Sequence, residues 1–438
     1  MYIPFVKGNW PRFRLKAETG DIGFNFYYYG SMKKIAAYSA LILLTLVYLN
    51  SFFTRQIVAV LGVDIRNAFQ LGNLQIGLLY GTAFSVIYAV AGIPMGRLAD
   101  RVSRRWMIAV GLLIWSGMTV LSGLATSFSF LIVARLLVGV SQSMLSPAVY
   151  SLLAEMFSPQ KRATIFSFYA SGIFLGIGLS FLAGGTIALQ YSWQTALIAV
   201  GLPGLLLVPF VFWLVKEPAR TVIRHQHDDN LFRDAAALLT KKTVQYHLIG
   251  FSLLACTGYT VLAFAGTVFN DVFNRADLTP QYGWFLFGVA GTVILAGRTA
   301  DKLAEKKPEY RFWIGIVAAL GGLPFYAVGL FNADPLWAFV LMGCGVMISS
   351  SYNGVAAALM QYLVPDKNRA LAGGLYLFVI SIAGFGLGPP ITGWLMDDVF
   401  TGLYGPSKAV FLVMVICSIG STLAFMLAMK SYSLDKME

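Results

Sequence analysis

Arg135, Gly139, Ser143 and Pro147 recur at intervals of four within an apolar run at 128–155, with Ser141 and Gln142 beside Ser143. Intervals of four stack side chains on one helical face. The seven residues from Arg135 to Gln142 span two turns, roughly 10 Å along the axis. An arginine near mid-span costs about 2.5–3.5 kcal/mol on insertion scales, so it needs a partner or a wet cavity. Such a face can recognise an anion through a guanidinium flanked by an amide and hydroxyls. Gly139 and Ser143 also read as a small-residue stripe for close helix contact. A second arginine, Arg55, follows Tyr48, Asn50, Ser51 and Thr54 in the first apolar run. It either snorkels to the interface or, if its helix continues to about residue 60, points into a cavity and joins Arg135.

A second constellation is charged. Gly96-Arg97-Leu98-Ala99-Asp100-Arg101-Val102-Ser103-Arg104-Arg105 separates two apolar runs, and a fainter copy, Gly297-Arg298-Thr299-Ala300-Asp301-Lys302, recurs about 200 residues later. The segments Pro159 to Arg162 and Pro365 to Arg369 repeat in the same order. A carboxylate at a helix end can cap a facing helix and pair with a cation, a linkage that holds in one conformation and breaks in another. A charged hinge repeated once per half suits two bodies that rock around a central site.

The elements that position these residues follow from composition. Of 438 residues, 58% are hydrophobic and 12% charged, which places the chain in a bilayer. Twelve helical spans are expected at about 36–60, 74–96, 106–126, 128–155, 163–189, 194–215, 243–268, 281–300, 311–331, 335–362, 370–396 and 407–430. The fold class is therefore an all-α membrane protein. It divides into an interfacial N-terminal segment (1–35), a six-helix half (36–215), a cytoplasmic linker (216–242), a second six-helix half (243–430) and a tail (431–438). With the N terminus inside, 27 of the 32 Lys and Arg residues fall on inner segments, as the positive-inside rule requires. Both termini are expected in the cytoplasm, the membrane being a bacterial inner membrane.

The net charge of +12 is thereby absorbed by topology and calls for no nucleic acid. Cys256, Cys344 and Cys417 fall in spans without metal-ligand spacing, and read as packing residues. His225, His227, Asp228 and Asp229 read as a solvated linker. The aromatic stretch Phe24 to Tyr29 reads as an interfacial anchor. No catalytic constellation, cofactor or metal is expected. The expected partners are a small-molecule or lipid substrate and membrane lipids, the chain being a monomer.

Gly96 to Arg105 resembles the signature segment G-x-L-x-D-R-x-G-R-R of the major facilitator superfamily, with Ser103 in place of its second glycine. The fourth-span pattern resembles that family's R-x-x-x-G-x-x-x-A-x-x-x-P. The resemblance implies a twelve-helix transporter working by alternating access, in which Gly96, Asp100, Arg101, Arg104, Glu155 and Asp301 belong to the gating machinery and Asp100, Arg104 and Glu155 form a relay. The stretches 74–105, 135–162 and 384–390 are most similar to the spinster-type branch, sphingolipid and lysophospholipid transporters with bacterial relatives. In that branch Asp-Arg in the first span and Gly-Glu in the fourth supply acids implicated in proton coupling. This chain has Thr54-Arg55 and Ser141-Gln142, and neither Thr nor Gln titrates.

Losing two carboxylates while keeping two arginines leaves a cationic cavity. Arg55, Arg135, Gln142, Ser143 and, from the second half, Asn353 are the expected substrate-binding residues. An amphipathic anion such as a lysophospholipid is the leading substrate. A polar carboxylate, either a sugar acid or a siderophore, is the alternative, and a non-transporting receptor or scaffold is a further one.

Overall fold

Hydrocarbon offers no water to a peptide group, so each apolar run closes its own hydrogen bonds as a helix. The computed structural model describes residues 21–158, 161–217, 231–364 and 369–435. It contains twelve helices long and apolar enough to cross a membrane. These are α1 (Ile35–Val60), α2 (Asn73–Ala99), α3 (Arg104–Ser122), α4 (Phe128–Met156), α5 (Thr164–Gln190), α6 (Trp193–Leu214), α7 (Lys242–Val272), α8 (Leu278–Lys306), α9 (Pro308–Leu330), α10 (Pro335–Tyr362), α11 (Leu371–Val399) and α12 (Gly405–Tyr432). The expected spans match them closely, with one instructive departure. Both charged segments are mostly helix: the α2 helix continues to Arg101 and α8 to Lys306. The turn itself is confined to Val102 and Ser103, whose hydroxyl caps α3 by accepting from the Trp106 amide.

The 96–105 segment and the α6–α7 linker lie at the same end of the bundle, the hinge end, since four spans separate them. At the opposite, far end a short helix, Gly62–Phe69, leads from α1 into α2, and Gln70 ends it in the left-handed region. Within the linker, Leu231–Thr240 is helical. The histidine and aspartate cluster at 225–229 and the segments 159–160 and 365–368 lie outside the described residues, as do the side chains of Phe24 to Tyr29.

Each half is held by its own interior. In the first, Asn50 of α1 accepts from Trp115 Nε1 (3.1 Å) and Ser116 Oγ (3.4 Å) of α3 and donates to the Val200 carbonyl of α6 (3.5 Å). In the second, the Phe425 ring of α12 lies where side chains at Gly250 of α7 and Gly315 of α9 would stand. Leu206, Trp213 and Leu295 project from the outer surface, as lipid-facing residues do.

The halves meet through backbone. A Cβ at Gly77 of α2 would stand 2.5 Å from the Pro389 carbonyl oxygen of α11, and one at Gly81 2.8 Å from that of Phe385. Gly283 of α8 would similarly be 2.5 Å from the Gly178 carbonyl of α5. Both α2 and α11 carry a π-helical turn here, Leu78–Thr82 and Ile380–Gly386, and Thr82 Oγ1 donates to the Gly386 carbonyl (2.6 Å). Of the Gly384 to Gly388 stretch, Gly386 serves this contact, its would-be Cβ 2.8 Å from Ser85 Oγ of α2, whereas Gly384 and Gly388 lie against α7. Towards the hinge end the pattern reverses: Gly92, Gly96, Gly291, Gly297, Gly373 and Gly374 have nothing within 4 Å of a would-be Cβ. The two halves close at the far end and diverge towards the hinge.

Gly77→Val should therefore lower the thermal stability of the detergent-solubilised protein by about 1–3 kcal/mol through overpacking, whereas Gly92→Ala should leave it unchanged or raise it. Asn50→Leu strands the Trp115 indole N–H and is expected to cost about 1–3 kcal/mol, read by the same unfolding measurement.

Candidate functional site

Because α1 stays helical through Val60, Arg55 lies inside the bundle, 9% exposed. It does not snorkel. Its Nε and Nη2 donate to Gln142 Oε1 of α4 at 3.2 and 3.1 Å. The Gln142 amide nitrogen donates to the Ser51 carbonyl and Thr54 Oγ1, each at 3.0 Å. Arg135, 2% exposed, donates from Nη1 to the Thr54 carbonyl (3.1 Å) and from Nη2 to the Arg55 carbonyl (2.7 Å). Its Nε has no hydrogen-bond partner among the described residues. Thus the positions where the resemblance implies Asp and Glu hold Thr54 and Gln142, and both now serve as neutral links between α1 and α4.

The two guanidiniums differ in what remains free. Arg135 spends two donors on α1 carbonyls and pins α4 to α1. Arg55 faces one neutral amide and three rings, with its guanidinium carbon 4.5 Å from the Phe52 centroid, 4.4 Å from Phe84 and 4.9 Å from Tyr88. No carboxylate pairs with either among the described residues. A cation over aromatic faces is stabilised by the ring quadrupoles but keeps its charge, which an incoming anion can meet with hydrogen bonds.

More aromatic groups extend this wall. Tyr48 stacks on Tyr169 at 4.2 Å, and Tyr150 meets Tyr169 edge-on at 5.4 Å. In the second half Tyr259 of α7 stacks on Phe385 of α11 at 4.2 Å. Sequence reasoning missed Tyr88, Tyr150 and Tyr259, because single tyrosines in apolar runs carry no spacing signal. Of the other expected binding residues, Ser143 donates to the Val140 carbonyl of its own helix (2.7 Å). Asn353 is exposed on α10 and donates to the Ser350 carbonyl (2.7 Å).

At the hinge end, Arg104 grips Glu155 of α4 with Nη1 and Nη2 at 2.7 and 2.8 Å, and Nη1 also donates to Ser151 Oγ at 2.7 Å. An unanticipated partner completes the corner. Glu217, just beyond α6, accepts from the Arg104 amide (3.0 Å), from Arg104 Nε (3.3 Å) and from the Ser103 hydroxyl. Burial works against its charge, but these donors outweigh it and hold the Glu217 carboxyl below its ordinary range. A depressed carboxylate stabilises above its unfolded pKa and loses that contribution as pH falls through the folded one, so this corner is fully tied at neutral pH. The Asp100 side chain lies outside the described residues, Arg101 and Asp301 are exposed, and Gly96 meets open space.

At the far end, a second charged set crosses between halves. Arg66 holds Asp271 at the end of α7 through two contacts, 2.7 and 2.9 Å, and donates to Asn73 Oδ1 (2.8 Å). Asp397 of α11 accepts from α2. Nearer the middle, Tyr80 donates to Gln56 (2.7 Å), which donates to the Leu262 carbonyl of α7 (3.3 Å).

The comparisons with known proteins agree with this architecture. Residues 44–386 match the Major Facilitator Superfamily model. An MFS-type efflux pump of Mycolicibacterium smegmatis is 27% identical over 92% of this chain and 95% of its own length. Spinster homolog 1 of Rattus norvegicus is 30% identical, covering 82% of this chain and 73% of that protein. A probable L-galactonate transporter of Escherichia coli is 22% identical, over 82% and 83% of the two chains. Among solved structures, a bacterial homologue of the human lysosomal transporter spinster, in an inward-facing and unoccupied conformation, superposes with a TM-score of 0.80 at 23% identity, covering 91% of this chain and 98% of that one. Twelve apolar helices in two halves that close at one end, the Arg104 corner and a family match over most of the length lead to one conclusion: the chain belongs to the major facilitator superfamily of membrane transporters.

Proposed function

We propose that this transporter moves an amphipathic organic anion, of the lysophospholipid kind, by alternating access across a bacterial inner membrane. The hinge end, with its basic segments and both termini, faces the cytoplasm, so the conformation described above opens inward. The observation that carries the reading is Arg55: a buried cation bound to a neutral glutamine, ringed by Phe52, Phe84 and Tyr88, with no carboxylate pairing it among the described residues. A phosphate satisfies the guanidinium while the rings accept the glycerol backbone and the first methylenes. Arg135 acts on this reading as a positioning residue, because its donors are committed to the carbonyls that shape α1 around Arg55.

Lysophosphatidylglycerol at about 100 times its Kd should stabilise the purified protein by about 2.7 kcal/mol, and galacturonate, a sugar acid without a chain, by far less. Arg55→Gln is expected to weaken that binding by about 10- to 100-fold, the loss of a charge-assisted hydrogen bond, with little change in unliganded stability. A stabilisation seen with galacturonate and not with the lysolipid would overturn the amphipathic reading in favour of a polar-carboxylate carrier.

Gln142→Glu gives Arg55 an internal counterion. Anion binding should fall at neutral pH and return as the medium is acidified, since protonating the new carboxylate frees the guanidinium again. Titrating binding against pH in this variant and in the natural sequence, which should lack that acid-side recovery, checks the assignment.

A further inference from the structure

Arg55 belongs to the first half, and a site shared between two halves needs a group from the second to meet the same substrate. Asn353, expected in that role, spends its amide nitrogen on the Ser350 carbonyl of its own helix (2.7 Å). Another element comes closer. Gln56, the residue after Arg55, donates to the Leu262 carbonyl of α7 (3.3 Å) while accepting from the Tyr80 hydroxyl (2.7 Å). This contact fixes α1 against α7 at the level of the cation. Tyr259 stands one turn from Leu262 towards the hinge end, on the side to which the halves diverge.

A run of rings ties Tyr259 to the Arg55 site. Its ring stacks on Phe385 at 4.2 Å and 16°. Phe385 in turn meets Tyr80 at 4.8 Å and Phe84 at 5.7 Å, and the Phe84 centroid lies 4.4 Å from the Arg55 guanidinium carbon. The Tyr259 hydroxyl is within electrostatic reach of that guanidinium and of the Tyr88 hydroxyl. Neighbouring polar groups of α7 are already engaged inside the second half: Thr260 pairs with Thr392 (3.1 Å), and Thr257 donates to the Leu253 carbonyl (3.4 Å). Tyr259 differs from both. It is partly exposed, and its hydroxyl makes no hydrogen bond among the described residues. A phenol in this state offers one O–H donor, on a ring whose orientation the stack has already fixed, so that engaging it costs little further ordering.

We infer that Tyr259 is the second half's contact with the substrate anion: its O–H donates to an oxygen of the group that Arg55 binds, so that one anion joins α1 to α7. Phosphate and carboxylate both present a further oxygen for this donor, and a hydrogen bond to an ionised acceptor is among the stronger ones. No proton is transferred. The guanidinium holds the charge, and the phenol lets the other half register that the site is filled, drawing α7 towards α1 around the anion. This role rests on the proposed reading of Arg55 as the anion's anchor and is independent of the acyl chain.

Tyr259→Phe removes the O–H and keeps the stacked ring, so the unliganded variant should unfold at the temperature of the natural protein. Thermal-shift titration of the detergent-solubilised protein with lysophosphatidylglycerol should give a Kd about tenfold higher, the loss of one hydrogen bond to a charged group. Galacturonate, titrated in parallel, should lose affinity by a similar factor wherever it binds. Hydrogen–deuterium exchange supplies a readout that packing alone would not move: saturating lysophosphatidylglycerol should slow exchange in peptides covering 254–264 of the natural protein and leave them unchanged in Tyr259→Phe. Binding that is lost in Arg55→Gln and intact in Tyr259→Phe would overturn this role for Tyr259 while the proposed function stands. Failure of both anions to bind the natural protein, or binding indifferent to Arg55→Gln, would overturn the reading of Arg55 and this role with it. Should Tyr259→Phe fail to fold, exchange in the natural protein decides, since protection on ligand binding confined to α1 and α4 would overturn the role.

Discussion

Two guanidiniums sit in the interior of the first half, and the way each is compensated organises what surrounds it. An unpaired mid-span arginine is expensive, and burying a compensating carboxylate carries its own desolvation cost. The chain uses neither bare charge nor acid. Arg135 is absorbed by the Thr54 and Arg55 carbonyls, which ties α4 across α1. Arg55 is cushioned by aromatic faces and a glutamine oxygen. Gln142 is essential to this economy because it accepts from Arg55 with its oxygen and donates to Ser51 and Thr54 with its nitrogen, a task a carboxylate could not perform. The consequence is a rigid α1–α4 pair that retains positive charge.

That pair is joined physically to the interface. Phe84 of α2 lies under Arg55 and within 5.8 Å of the Arg135 guanidinium carbon, and its ring also meets Tyr88 at 5.4 Å and Phe385 of α11 at 5.7 Å. One helical turn towards the far end, Gly81 lets α2 come against the α11 backbone. Movement of α2 on α11 therefore displaces the aromatic floor of the Arg55 site. At the other end the Arg104, Glu155 and Glu217 corner binds α3, α4 and the end of α6 into one unit. The first half is thus tied together through its interior, with the aromatic floor beneath Arg55 linked to the seam between α2 and α11.

Much of this was legible in the sequence, and the exceptions have physical causes. Run length set the spans to within a few residues, since the hydrophobic thickness of a bilayer leaves little latitude. The helical repeat put Arg135 and Gln142 on one face, and the resemblance to the family's signature segment implied the link between Arg104 and Glu155. The status of Arg55 hinged on where α1 ends, which hydropathy cannot fix for a polar stretch such as Asn50 to Arg55. Glu217 was hidden because it stands in a charged linker where acids are ordinary. Asp397 was invisible for a different reason: its partners are backbone amides some 320 residues away, and backbone amides have no sequence signature. The glycines Gly77 and Gly81 of α2 carried no signal in the sequence that the α11 backbone lies against them.

On the proposed reading, the absence of acids beside Arg55 among the described residues bears on how the cycle can run. Sealing a site from water on both sides raises the cost of any charge left in it. When the site is empty, Arg55 is that charge, because Gln142 contributes only a dipole. When an anion occupies it, the pair is neutral and the seal costs less. On the proposed reading occlusion is thus easier loaded than empty, so a transporter of this design exchanges substrate across the membrane more readily than it returns unloaded. A carboxylate at position 142 would reverse the balance by neutralising the empty site.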